Sequence, residues 1–301
     1  MTPTKSYDLH NQWYNKHFPT NSSKTALYEK YRSAGKNNIA HWLQQIFFNC
    51  LDPLLKAQAQ SWLTVGDAYG FDAQYIAASG NRSLATDLNT DLLAVALQQG
   101  VIEAYAAENA EKLSFEDNHF DYVLCKESYH HFPRPYAAMY EMIRVARKGV
   151  VVIEPQDPVV RMPLLLLLRN LLASRDSLLN NIWKNRFSFE PVGNFVYKIS
   201  EREVEKLAAG LNLPMVAFKR INPNFWFAGA DQVPADHSSK RFLAIQLKKR
   251  FLDLLVRLKL VPAQVLAVVI FKDMPEQKTM RALQQSDYHL VRIPVNPYVT
   301  P

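Results

Sequence analysis

The stretch LTVGDAYGFDAQYIAASGNRSLATDLN, Leu63 to Asn89, decides the fold. An apolar run, Trp62–Val65, reads as a strand; it breaks at Gly66 and Gly70 and passes into a helical pattern, Ala73 to Ala77, before a second strand, Leu84–Asp87. A glycine-bearing turn between strand and helix lets backbone amides approach a ligand at the end of a sheet, where open α/β folds bind nucleotides. An acid about 20 residues farther on, at the carboxyl end of the second strand, can accept both hydrogen bonds of a ribose diol. Asp87 holds that place. Asp67 invites a similar role toward the amino group of an amino-acid-like ligand, with a turn acid as the alternative. A dinucleotide fingerprint would need small residues at 66, 68 and 71, and Phe71 is too large for the close helix–strand contact, so NAD is disfavoured.

Working outward, the alternation continues. Phe120–Cys125 and Val150–Glu154 read as strands, with amphipathic helices over residues 72–80, 91–99 and 136–147, which predicts a parallel, doubly wound sheet. Upstream, Trp13 to about Leu55 reads as helical, with Ile39, Leu43, Ile46 and Phe47 at helical spacing and Pro53 near the end. Residues 1–58 are therefore expected to form a helical attachment that caps the substrate. Downstream, Ser200 and Glu203 make a capping box that opens a helix to about Leu211, and Met215–Ile221 and Val265–Phe271 read as closing strands. The main domain is expected over 59–274 with helical insertions near 157–190 and 238–260, followed by an irregular tail, 275–301. Within the first insertion, MPLLLLLRNLLASRDSLLNNIW carries leucines around too much of a helix for a simple surface element. It reads as a lid packed on the core or as a membrane-surface helix; Arg169 and its length exclude a spanning one.

Nearly half of the 301 residues are hydrophobic and about a fifth charged, the balance of a globular chain. The first residues lack the pattern of a secretory signal and no run is long enough to span a bilayer, so a cytoplasmic location is expected. Cys50 and Cys125 stand apart, away from any metal-ligand spacing, and read as buried apolar residues; no metal is called for. The net charge of +7 suits an acidic partner, but it is scattered, and its densest run, Lys248-Lys249-Arg250, falls inside an amphipathic helix with Leu243, Leu247, Phe251, Leu254 and Leu258.

Four elements, LTVGDAYG, ATDLN, AENAEKLSFEDNHFDYVLCKESYHHF and GVVVIEP, follow one another in an order and spacing that resemble class I S-adenosylmethionine-dependent methyltransferases over about residues 60 to 155. The resemblance implies a Rossmann-like, seven-stranded, mostly parallel sheet flanked by helices, whose last inserted strand is antiparallel. It implies S-adenosylmethionine as cofactor, with Gly66 and Gly70 lining its methionine end, Asp67 beside them, Asp87 on the ribose, Asn109 and Ala110 at the adenine, and Lys126 to His131 at the reactive end. Three positions depart from the family pattern: Thr64 stands where an acid is usual, Ala68 where a second glycine is usual, and Asn109 where relatives carry an acid. Alanine at 68 predicts an ordinary backbone conformation, since a left-handed one would cost about 1 to 2 kcal/mol.

A methyl on a sulfonium is already activated, so the protein's task is alignment and exclusion of water. A hydroxyl acceptor needs a base, and an imidazole suits neutral pH. His131, then His130, are the candidates, with packing against the next helix as the alternative; Glu127 and Glu154 are secondary. The expected partner is a small-molecule acceptor, a hydroxyl or an amine, among them a saccharide. Trp13, Tyr14, Tyr28, Tyr31 and Trp42 could stack on a ring. Rival readings are a basic nucleic-acid-binding or RNA-methylating protein, a catalytically silent adenosyl-binding relative, and an enzyme in peripheral contact with a membrane.

Overall fold

The computed structural model describes residues 3–55, 59–157, 163–172, 188–190 and 194–298. Eight strands form one sheet: β1 (Ser61–Val65), β2 (Arg82–Asp87), β3 (Tyr105–Ala107), β4 (Phe120–Lys126), β5 (Ala146–Pro155), β6 (Met215–Ile221), β7 (Val265–Phe271) and β8 (His289–Arg292). Their order is β3-β2-β1-β4-β5-β7-β6-β8. The first five are mutually parallel; β7 lies antiparallel between β5 and β6, and β8 runs antiparallel along the outer edge of β6. The chain builds outward from β1 to β3 and returns to β4 on the other side of β1. That reversal opens a crevice above the carboxyl ends of β1 and β4, the place where such sheets bind ligands.

The central strands carry long apolar runs because both faces are covered. Every residue of β7 is buried, as are six consecutive residues in each of β4 and β5. One face carries α7 (Pro135–Val145) and α9 (Glu201–Gly210), the other α5 (Phe71–Ala78), α3 (Ile39–Phe48) and α11 (Gln277–Gln285). The Ser200–Glu203 capping box opens α9 as predicted, each side chain meeting the other's backbone amide.

Before the sheet come α1 (Pro3–His17), α2 (Asn21–Ser33), α3 and the short α4 (Asp52–Leu55). The Tyr28 hydroxyl of α2 donates to the Leu92 and Tyr69 carbonyls at 2.9 and 3.1 Å, and Lys24 pairs with Asp91 at 2.7 Å, so the attachment is fastened to α6 (Asp91–Gln98).

Two expectations are corrected. The expected irregular tail, 275–301, is not irregular over its described part, 275–298: α11 buries Leu283 on the sheet, the buried Tyr288 hydroxyl donates to the Cys50 carbonyl at 2.9 Å, and β8 pairs with β6. The sheet therefore has eight strands where seven were expected. The first insertion is helical at α8 (Pro163–Leu171), where Leu164, Leu167, Leu168 and Leu171 are exposed; residues 158–162, 173–187 and 191–193 of the segment lie outside the described residues. The second insertion is α10 (Lys240–Arg257). No described helix is long and apolar enough to cross a membrane.

Candidate active site

β1 ends at Gly66, whose φ of +73° is left-handed and whose carbonyl accepts from the Ser128 hydroxyl at 2.8 Å. A Cβ at 66 would stand 2.5 Å from the Ser128 Cβ, so only glycine lets the exit loops of β1 and β4 close on each other. Asp67 turns inward: its carboxylate accepts from the Thr64 hydroxyl at 3.0 Å and the Ala73 amide at 2.9 Å. It thereby caps α5, whose N-cap residue, Gly70, has no side chain to do so. Ala68 keeps a negative φ, as expected. Gly70 needs its φ of +75°, but it does not line the cavity; a Cβ there would meet Ile102 at 2.7 Å, so its role is packing, a correction to its expected place beside the cofactor.

Above this crevice lies a cavity of about 500 Å³, within the range of small-molecule sites. Gly66, Asp67, Asp87, Asn109, Ala110, Lys126 and His131 all line it. The Asp87 carboxylate accepts from the Asn89 amide at 2.9 Å, and burial pushes it up to about 6 against the help of that amide. Asn109 folds back in an Asx turn, its side-chain oxygen accepting from the Glu111 amide at 2.9 Å. Lys126 reaches back 3.2 Å to Asp72; burial disfavours its charge, but Asp72 and the neighbouring acids outweigh that and raise its pKa. Asp67 and Asp72 are raised by burial, Asp67 also by the charge of Asp72 beside it.

The lining carries seven carboxylates, Asp67, Asp72 and Asp87 among them, and one lysine. In a chain of net charge +7 this is a locally negative pocket, one that favours a cationic ligand.

At the far end the two histidines separate. His130 is not part of the cavity wall, a correction to its candidacy: its Nδ1 donates at 2.5 Å to Glu154, a wholly buried carboxylate that also accepts from the Ser128 and Tyr129 amides at 2.7 and 2.8 Å. Burial works against its charge, yet the Glu154 hydrogen bond raises its pKa, so the pair is a fixed internal strut. His131 lines the cavity, and its Nδ1 is hydrogen-bonded to Glu190. Burial would raise Glu190, but the His131 hydrogen bond and charge hold it below the usual carboxylate range. Asn194 braces the pair, donating to the His131 carbonyl at 2.5 Å and accepting from Ser6 of α1 at 2.5 Å. His10 of α1 packs edge-on against His131 with ring centroids 5.1 Å apart, and burial lowers its pKa to about 4. His10, His131 and Glu190 place one ligand atom each within 4.8 Å of one another, the single such set among the described residues that could share a divalent cation.

Of the aromatic residues expected near the acceptor, Trp13 and Tyr14 line the cavity. Tyr28, Tyr31 and Trp42 pack instead, Tyr31 stacked on Phe71 at 4.2 Å and Trp42 edge-on to Phe242 at 5.1 Å. The residues missed in the sequence are Tyr7, His10, Glu190 and Asn194. Tyr7, His10, Asn11 and Tyr14 share one face of α1 at helical spacing, a signal of amphipathicity that does not distinguish a cavity from a core.

Residues 63–153 match the family described as the methyltransferase domain. This segment is a class I, S-adenosylmethionine-dependent methyltransferase domain, and S-adenosylmethionine is the cofactor of that class. No curated protein matches the chain. Among solved structures, the 1,6-didemethyltoxoflavin-N1-methyltransferase of Burkholderia thailandensis is similar at 12% identity and a TM-score of 0.53, over 91% of this chain and 92% of that one. Phosphoethanolamine N-methyltransferase 2 of Haemonchus contortus is similar at 16% identity and a TM-score of 0.52, over 87% of this chain and 60% of that one. At these identities the likeness is one of fold.

Proposed function

We propose that the protein moves the methyl group of S-adenosylmethionine to a hydroxyl of a small-molecule acceptor, with His131 as general base. The observation that carries the reading is the Glu190–His131 pair on the wall of the acid-lined cavity.

The residues present fit the cofactor. Asp87 is a recessed carboxylate that receives no side-chain hydrogen bond among the described residues, so ribose hydroxyls would supply the donors it lacks. Asn109 and Ala110 would border the adenine, and the loop at Gly66 the methionine end. S-adenosylmethionine supplies, when bound, a methyl activated on a sulfonium. What remains for the chain is to orient the acceptor, exclude water and take up a proton. Glu190 accepts from the His131 Nδ1–H, which fixes the tautomer and leaves Nε2 to receive the proton of the hydroxyl. Tyr7, Trp13 and Tyr14 on α1 offer flat apolar faces with polar edges, suited to a sugar or an aromatic ring.

An amine acceptor is the second reading, favoured by the negative lining, which attracts a cationic amine; His131 would then receive the ammonium proton. Transfer of a labelled methyl group to panels of saccharides, phenols and amines separates the two. In either case His131→Ala is expected to keep cofactor binding and lose turnover by about 10² to 10⁴-fold. An unchanged rate removes the base assignment, and failure to bind S-adenosylmethionine or its demethylated product by calorimetry removes the whole reading.

A further inference from the structure

A second cavity, of about 560 Å³, lies farther along the same carboxyl edge of the sheet, between the end of β6, the start of β7 and one face of α10. Its charge is opposite to that of the first. Lys219, Arg220, Lys249, Arg257 and Lys259 line it against two carboxylates, Asp253 and Asp287. Asp253 is fully engaged, accepting from Lys249 and from Asn222 at 2.7 Å each, and Arg220 pairs with Glu201. Arg257 and Lys259 have no carboxylate partner among the described residues. Lys259 sits at φ +59°, a left-handed turn after α10 where glycine would be easier, and it places a cation at the cavity.

The outer face of α10 is apolar. Leu243, Leu247, Phe251, Leu254 and the C-cap Leu258 follow at steps of four, four, three and four, one stripe along an 18-residue helix and its cap, and they are 38, 70, 61, 50 and 57% exposed. At 100° per residue Lys248 flanks the stripe on one side, and Arg250 and Arg257 on the other. Arg257 thus belongs both to the border of the stripe and to the basic cavity. Phe242 is the only residue of α10 that is buried.

We propose that α10 is a docking face for an anionic phospholipid surface: the apolar stripe enters the boundary between headgroups and acyl chains, and the adjoining basic cavity receives a lipid phosphate. The chemistry selects this occupant. A second copy of the chain would set like charges against each other along the stripe, and a nucleic acid has no use for five exposed apolar side chains, whereas an anionic leaflet meets both the apolar stripe and the cations beside it. Docking is independent of the methyl-transfer reading, since none of these residues lines the first cavity.

The test is co-sedimentation of the full chain with phosphatidylcholine vesicles, with and without phosphatidylglycerol. Binding is expected to rise at least about tenfold with the anionic lipid and to fall as salt screens the headgroups. Leu247→Asp with Phe251→Asp is expected to abolish it, and Arg257→Glu with Lys259→Glu to remove the preference for phosphatidylglycerol. All four side chains project from the fold, and unchanged calorimetric binding of S-adenosylmethionine shows that the variants are folded. Excess inorganic phosphate competing as well as lipid would assign the cavity to a free anion and overturn its part in docking. Absence of binding to anionic vesicles, equal binding to neutral ones, or a dimer in light scattering that the Leu247 and Phe251 exchanges dissolve would each overturn the proposal.

Discussion

Asp87 illustrates how a single carboxylate couples recognition to pH. Burial raises it to about 6, so the folded protein holds its proton more tightly than an unfolded chain would. Only the carboxylate accepts from both hydroxyls of a diol, so affinity for S-adenosylmethionine is expected to be level above about pH 7 and to fall as the pH drops through about 6. Calorimetric titrations across that range check this, with Asp87→Asn as the control: it should bind more weakly and without the pH dependence. The linkage runs the other way for the free protein, because the charged form is the disfavoured one in the fold; Asp87→Asn is expected to raise the melting temperature at neutral pH. Asp87→Ala should weaken binding by about 1 to 3 kcal/mol if a buried ribose pairing is lost. The positions of Asp87 at a strand end and Gly66 in a turn were legible in the sequence because they follow from neighbours within one strand and one turn. Gly70 was misplaced for the same reason: its left-handed φ was legible, but Ile102, the side chain it makes room for, lies on another element.

The elements that complete the site converge from three parts of the chain: α1 with Ser6 and His10, the turn after β4 with His131, and residues 188–190 with Glu190. Asn194 ties them, bonding Ser6, the His131 carbonyl and, through its own carbonyl, the Glu190 amide at 2.9 Å. On the proposed mechanism Glu190 would act through His131 rather than on the acceptor. Glu190→Gln is expected to lower kcat by about 10²-fold or more while cofactor affinity and KM change little, and Glu190→Asp to recover part of the loss. Steady-state kinetics with the acceptor identified by methyl-transfer screening measure that split; a fall in affinity with kcat unchanged would make Glu190 a binding residue. Nothing in the sequence marked the pair, because 59 positions separate His131 from Glu190 and neither sits in a spacing that predicts the other.

For the molecule as a whole, charge is divided: an acid-lined cavity at β1 and β4, and a basic one with an apolar border at β6 and β7, in a chain whose sum is +7. Its two ends also close on each other. Tyr288 bonds the Cys50 carbonyl, and β8 covers the edge of β6 that would otherwise present unpaired backbone groups. Removing residues 275–301 is expected to lower the melting temperature by several degrees and to promote association, followed by thermal melting with light scattering. A truncated chain as stable and monodisperse as the full one would show that β8 adds nothing to the sheet.

The order of strands and helices from β1 to β5, the capping box of α9 and the place of Asp87 were determined by the sequence alone. Each rests on hydrophobic period, turn chemistry or a spacing of a few to a few tens of residues, and such information is local. The tertiary structure alone decided that His131 meets Glu190 while His130 turns to Glu154, that one face of α1 closes the cavity, that an eighth strand lies where irregular chain was expected, and which charges share a pocket. These depend on packing between segments far apart in the chain, and such contacts leave no period in the sequence of either partner.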